Sequence, residues 1–315
     1  AHALDPVHRH RRVLDLVDVP DQHARPTLIG GRSRGVETGP QTGSLSTTIY
    51  LMPDVHSSPL IECFTLGPFA TNCYVVRAPE TDECWIVDAG FAPGGLIESV
   101  QRHELSPSRI FLTHAHMGHY TGLMYLGKEA KGASDVSVFA MPKMKVFLES
   151  NGPWSQLVSE RNIRLRPLEN KQAHSLSDQI MVTPLLVPHR DEFSETVGYR
   201  ISGPNKKALF IPDIDKWEKW DEDILEEIKS VDYAFVDATF YSGVEIGNRD
   251  IALIPHPFII ESMEIFSALS EMEKQKVVFI HFNHTNPVID SSSAAAKTVL
   301  KHGYRIAEIG EAFEL

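Results

Sequence analysis

Residues 113–122 read THAHMGHYTG, which places His114, His116 and His119 within six positions. His114 and His116 alternate at the end of a predicted strand, so both rings leave on the same side. His119 lies just beyond, in a loop that can turn toward them. Neutral imidazoles suit Zn, Fe, Mn or Co, and a catalytic site needs about three protein ligands plus an open position for water. One H-x-H is weak evidence, since surface and core histidines match it often. The signal strengthens because polar residues recur at later strand ends: His189 after TPLLVP, Asp213 after ALFIP and His281 after VVFI. Each alone is equally well read as a satisfied structural side chain; together they point to a metal site. His284 competes with His281 in HFNHTNP, and the strand-end position favours His281.

The elements that must position these residues are legible as short segments. LIECFTLG, NCYVVRAP and CWIVDAG read as strands punctuated by Gly and Pro, PGGLIESVQRHEL has helical spacing, and RIFLTHAH is a strand running into a loop. YTGLMYLGKEA is expected to be helical, VSVFAMP a strand and PKMKVFLESNGPW a helix. IMVTPLLVPHR, TVGYRIS and KALFIPDID are three strands, with GPNK as the turn between the last two. ILEEIKSV is a helix, YAFVDATF and VVFIHFNH are strands, and IIESMEIFSALSEM is one helix between them. The order implies layered sheets and helices of an α/β fold, and the strands in each half permit a two-sheet sandwich.

At 315 residues and 42% hydrophobic content, the chain can bury a large core in one large or two small domains. Residues 1–58 differ in texture: HRHRR at 8–12, then GGRSRGVETGPQTGSLS, without sustained periodicity. They are expected to form a flexible or loosely packed extension, leaving 59–315 as the catalytic domain. A net charge of −12 argues against a nucleic-acid partner, because neutralising phosphates supplies most of that affinity. No apolar run reaches the roughly 18 residues that span a bilayer, and no secretory signal is evident. The expected compartment is the cytoplasm, a start at Ala1 leaving a removed leader open; Cys63, Cys73 and Cys84 fit buried thiols there. The expected partner is a small-molecule substrate, without membrane association, and a homodimer is left open.

The constellation resembles the metallo-β-lactamase superfamily, whose strand-end motif is H-x-H-x-D-H followed by a distant His, an Asp and a final His. The resemblance covers about residues 60–315 and implies a four-layer αββα sandwich. It implies that His114, His116 and His189 form the first metal site, Asp213 bridges, and His119 and His281 form the second. Asp88 in IVDAG matches an acid that supports the metal loop. PHRDEFSETVGYRI, VDATF, IPHPF and FIHFNHTNP are similar to the pyrroloquinoline-quinone biosynthesis protein B group and its tRNA 3′-processing and phosphodiesterase relatives. LGPFATNCYVVRAPETDECWIVDAG instead looks like glyoxalase-II-type hydrolases. His256 and Asp237 resemble positions near the leaving group in the phosphodiesterases, where a His–Asp pair can donate a proton; a buried His bonded to backbone is the plainer alternative.

The family pattern expects Asp where Gly118 stands. Glycine offers neither ligand nor base, so the second site is expected to be weaker and the cofactor to be one or two zinc ions, with Fe or Mn as alternatives. Asp213, Asp191 or Asp215 can take the general-base role; Gly118 itself can instead serve a loop conformation with φ > 0. Arg190 suits an anionic group or a surface ion pair, and Asn283 and Asn286 suit substrate oxygens or their own turn. Trp154, Trp217, Trp220, Met117 and Tyr120 suit an apolar pocket or plain core packing. The resulting expectation is a metal-dependent hydrolase of a phosphodiester, carboxylic ester, lactone or β-lactam. The alternatives are an iron-dependent, oxygenase-like enzyme of quinone-cofactor biosynthesis and a non-catalytic metal-binding protein.

Overall fold

The computed structural model describes residues 59–66, 71–78, 81–247, 250–251, 254–309 and 311–315. The extension expected at 1–58 lies outside them. The first sheet contains β1 (Leu60–Leu66), β2 (Thr71–Arg77), β3 (Glu83–Val87), β4 (Ser106–Phe111), β5 (Val136–Ala140), β6 (Ile163–Pro167) and the C-terminal β14 (Ala312–Glu314). Its order is β14-β1-β2-β3-β4-β5-β6, antiparallel up to β3 and parallel beyond. The second sheet contains β7 (His174–Ser175), β8 (Met181–Val187), β9 (Thr196–Ser202), β10 (Lys207–Ile211), β11 (Tyr233–Asp237), β12 (Val277–Ile280) and β13 (Arg305–Ile306). Its order is β13-β12-β11-β10-β9-β8-β7, antiparallel through β10 and parallel through β13.

Strand periodicity explains the layering. Successive side chains point to opposite faces, and central strands here are apolar on both, so each strand feeds two cores. Tyr74, Val76, Trp85, Val87 and Phe111 meet Tyr199, Phe210, Phe235, Val278 and Ile280 between the sheets. The alternate residues of the first sheet, such as Cys73, Val75 and Ile86, pack against α1 (Gly94–Arg102), α3 (Pro142–Ser150) and α4 (Trp154–Ser159) through Leu96, Val100, Met144, Leu148 and Leu157. Those of the second sheet, such as Leu209, Val236 and Phe279, pack against α5 (Ile224–Lys229), α6 (Ile259–Phe266) and α8 (Ala294–Lys301) through Ile224, Ile228, Ile259, Phe266, Ala295 and Val299. The result is the four-layer αββα sandwich. Leu148 and Phe266 are fully buried, and burial of such side chains stabilises by about 1.5–3 kcal/mol each.

Several elements differ from the sequence expectation. YTGLMYLGKEA forms only α2 (Met117–Tyr120) and a 3₁₀ segment, Thr121–Leu126. Gly122 explains the change: its N–H donates to the Ala89 carbonyl at 2.7 Å, and a Cβ there would overlap the carbonyl oxygens of Gly90 and Ala89. The close approach of these two backbones requires glycine. The long helix expected over IIESMEIFSALSEM is two, because Ser270 and Glu273 form a reciprocal cap that starts α7 (Glu271–Lys274). Trp217 and Trp220 are core residues, their indole N–H groups donating to Ser262 Oγ and the Leu186 carbonyl. Tyr120 and Trp154 likewise belong to the helix-side core, whereas Met117 is 62% exposed. All three cysteines are free and buried. Among the described residues no helix is long and apolar enough to cross a membrane.

One buried charge pair holds α1 to the sheet. Glu62 of β1 and Arg77 of β2, diagonal neighbours across the strand pair, form an ion pair, and Ser99 of α1 donates to Glu62 at 2.8 Å. Removing one partner from a buried pair strands the other charge, which costs about 3–5 kcal/mol, whereas apolar replacement of both is often nearly neutral. Arg77→Met is therefore expected to lower urea stability by about that amount and Glu62→Leu/Arg77→Met to recover most of it; a double variant as unstable as the single one would contradict this.

Candidate metal centre

The site lies where strands of both sheets end. His114 follows β4, His189 follows β8, Asp213 follows β10, Asp237 closes β11 and His281 follows β12. Carboxyl ends of neighbouring parallel strands are the usual place for chemistry in α/β sheets. Three contacts pin the sheets together beside His114: Tyr199 Oη donates to the Leu112 carbonyl at 2.7 Å, Val197 N–H to the Thr113 carbonyl at 3.1 Å and Ala115 N–H to Ser194 Oγ at 2.8 Å.

Hydrogen bonding assigns the histidine tautomers. Asp88, fully buried, accepts from Thr113 N–H and Thr113 Oγ1, each at 2.8 Å, and from His119 Nδ1 at 2.8 Å. With its proton given to Asp88, the Thr113 hydroxyl accepts from His114 Nδ1 at 3.0 Å. Asp237, also fully buried, repeats the arrangement: it accepts from Thr239 N–H at 2.9 Å, Thr239 Oγ1 at 2.7 Å and His256 Nδ1 at 2.7 Å. The Thr239 hydroxyl then accepts from His281 Nδ1 at 3.1 Å. His189 Nδ1 donates to the Pro255 carbonyl at 3.1 Å, and His116 Nε2 faces Glu192 Oε2 at 3.4 Å.

These bonds use the outward nitrogens, so the inward ones converge as lone pairs. His114 Nε2 and His116 Nδ1 lie 2.8 Å apart. His119 Nε2 and His281 Nε2 stand 3.2 and 3.3 Å from Asp213 Oδ2. His189 Nε2 and Asp213 Oδ2 are buried without a hydrogen-bond partner. Acceptors facing acceptors in a buried site need a cation between them, and the donor set of imidazoles and one carboxylate suits a divalent transition metal. Three sets of ligand atoms are close enough to hold an ion: His114, His116 and His189; His114, His119 and Asp213; and His189, Asp213 and His256.

The electrostatics separate the rings into two groups, His119 and His256 favouring the charged form and the others the neutral one. Burial holds His114 well below the ordinary imidazole range, lowers His116 and His281, and brings His189 to about 4, so these rings are neutral near pH 7. Burial opposes charge on His119 and His256 too, yet their carboxylates outweigh it: Asp88 and Asp213 raise His119, and Asp237 raises His256. Burial would raise Asp213, but His281, His119 and His114 hold it well below the usual carboxylate range.

The structure brings His114, His116, His119, His189, Asp213, His256, Asp237 and His281 together; His284 is exposed and takes no part. Asp191 accepts from Thr196 Oγ1, and Asp215 from Lys216 N–H and Lys219 Nζ, so both are engaged outside the ion-holding sets. Gly118 sits inside α2, and its φ is not among the positive ones, so a left-handed conformation is not what glycine serves there. Asn286 holds its own turn, accepting from Val288 N–H and donating to the Ala238 carbonyl, while Asn283 donates to Thr285 Oγ1. Arg190 makes the surface pair, 3.8 Å from Glu192. Sequence reasoning missed Thr113, Thr239, Glu192 and the Pro255 carbonyl. THAH and DAT carried the two threonines next to a His or Asp; nothing in the sequence marked the other two.

The family model for the "Beta-lactamase superfamily domain" matches residues 86–282. "Coenzyme PQQ synthesis protein B" of Gluconobacter oxydans is 27% identical over 126 residues, 38% of this chain and 40% of that protein. "Ribonuclease Z" of Rippkaea orientalis is 27% identical over 147 residues, 45% of this chain and 44% of that protein. The chain thus aligns with less than half the length of either relative. The zinc-bound PqqB structure from Methylobacterium extorquens superposes with a TM-score of 0.63 at 17% identity, over 78% of this chain and 87% of that one, which shows a shared fold. The glyoxalase-II-type likeness of the first strands gains no support from these relatives.

His189 Nε2 is buried with no hydrogen-bond partner and lies in two of the sets that could hold an ion; if it is a ligand, His189→Ala is expected to weaken zinc binding by about 100-fold or more, read by competition with a chromophoric chelator. Unchanged affinity would remove His189 from the ion-holding set.

Proposed function

Because the chain belongs to the β-lactamase superfamily, we propose that it is a metal-dependent hydrolase acting on an ester-type bond of a small molecule. The observation that supports this reading most is the inward ring of imidazole nitrogens around Asp213, each ring oriented by a bond on its far side. His114, His116 and His189 would hold one ion, and His119, His281 and Asp213 a second. A divalent ion at such ligands brings the pKa of a water to about 7 and polarises a carbonyl or phosphoryl oxygen.

The chain's own groups supply the proton transfers. Asp213, buried among the imidazoles, is the carboxylate that would accept the proton of the attacking water, through the oxygen that does not face His119 and His281. Although burial opposes its charge, its carboxyl lies well below the usual carboxylate range and is ionised at neutral pH. Asp237 holds His256 by its Nδ1 proton at 2.7 Å and favours the imidazolium, which leaves the other ring nitrogen to protonate a departing alkoxide. The likeness to ribonuclease Z supports phosphodiester chemistry, and the charge of −12 favours a small substrate over nucleic acid. The metal's identity, the ester class and the cytoplasmic setting belong to this proposal.

A second reading rests on His114, His119 and Asp213, two histidines and one carboxylate, a set that iron oxygenases use. The likeness to coenzyme PQQ synthesis protein B supports it. Chelator-stripped protein given zinc under argon should hydrolyse bis(p-nitrophenyl) phosphate or p-nitrophenyl butyrate. Oxygen uptake with iron, and no hydrolysis with zinc, would favour the second reading, and neither activity would leave a metal-binding protein.

The proposed acid predicts a leaving-group test. His256 acts while protonated, and its raised pKa means that this form is full below that value and lost as pH rises through it. His256→Ala should slow an alkyl ester about 10²–10⁴-fold and remove the alkaline decline, while p-nitrophenyl esters, whose leaving group needs no proton, slow far less. Equal slowing of both substrates would contradict the role.

A further inference from the structure

A groove of about 450 Å³ lies beside the metal centre, walled by Pro142, Lys143, Val146 and Phe147 of α3 on one side and by Glu192 and Phe193 on the other. Its size is that of a small-molecule pocket. The walls are fixed: Glu195 accepts from the Lys143 backbone N–H at 2.9 Å, tying the start of α3 to the loop that carries Phe193. The lining is mixed: Val146, Phe147 and Phe193 give it apolar surface, Val146 58% and Phe193 62% exposed, while Lys143, Ser150, Asn151 and Glu192 are its polar members. Phe193 lies 5.8 Å from the Phe147 ring at a tilt of 45°, which leaves an aromatic wall.

Glu192 joins the groove to the chemistry. It lines the groove and also faces His116 Nε2 at 3.4 Å, so one side chain stands between the groove and the candidate centre. Val146 and Phe193 are exposed side by side in one groove rather than scattered, and it is contiguous exposed apolar surface that marks binding sites. Resting on the hydrolase reading, we propose that this groove receives an aryl-bearing arm of the ester, so that the substrate class is an ester with a bulky aromatic group a few bonds from the scissile centre. Aromatic walls favour a ring in offset or edge contact over a flexible chain.

The test compares two non-hydrolysable tetrahedral mimics on the zinc-loaded full chain by titration calorimetry: methylphosphonate and 4-phenylbutylphosphonate. The aryl compound should bind about tenfold tighter or better, and Val146→Asp and Phe193→Ser should each bring the ratio toward one while melting temperatures stay near that of the parent chain. Equal affinities in the parent chain, or a ratio kept in both variants, would overturn the groove. Turnover of p-nitrophenyl esters without any aryl preference sinks the groove alone; no turnover and no binding of either phosphonate sinks the hydrolase reading and the groove with it.

Discussion

Buried imidazoles carry one N–H each when neutral, and that proton must be placed. The centre is organised around this constraint. Burial keeps His114 and His189 uncharged, and Thr113 and the Pro255 carbonyl take their Nδ1 protons. Their Nε2 lone pairs are thereby forced inward. Moving one acceptor would flip a ring or leave a buried donor unsatisfied, at about 1–3 kcal/mol. Much of the surrounding fold serves to keep those acceptors still: the sheet-to-sheet bonds of Tyr199 and Val197 stand directly beneath Thr113.

The two halves of the centre are built alike. In the first, Asp88 grips Thr113 and His119, and Thr113 supports His114; in the second, Asp237 grips Thr239 and His256, and Thr239 supports His281. One sheet contributes each half, and Asp213 stands between His119 and His281. Both halves contain a strained residue: Asp88 at φ 58° and His281 at φ 63° occupy the left-handed region. Such conformations cost about 1–3 kcal/mol each and persist where surrounding bonds over-determine them, commonly at functional sites.

Residues at strand ends were the legible part of the sequence. A run such as VVFI is apolar throughout and buried on both faces, so it reads as a central strand, and its end is marked by the polar residue that follows. The edge strand β6 escaped notice because IRLRP exposes its arginines, and α8 because its AAAK start has little apolar contrast beyond the Ser293 cap. In the site, His and Asp positions could be read from spacing, but their supports could not. Glu192 and the Pro255 carbonyl are 76 and 66 residues from the histidines they face, and no local pattern encodes such contacts. Gly118 shows the opposite limit: its identity was informative at once, as a missing carboxylate, whereas its conformation is that of an ordinary helical residue.

Read as a metal centre, this ring of lone pairs has a complete first set of ligands and a second set that lacks a carboxylate at Gly118. Metal per chain, counted by plasma mass spectrometry on protein purified without chelator or metal resin, tests it most directly when the parent chain and Gly118→Asp are measured side by side. About one ion per chain is expected in the parent, rising to about two in the variant. A parent chain without metal would contradict the centre itself, and equal occupancy in both proteins would contradict the part assigned to Gly118.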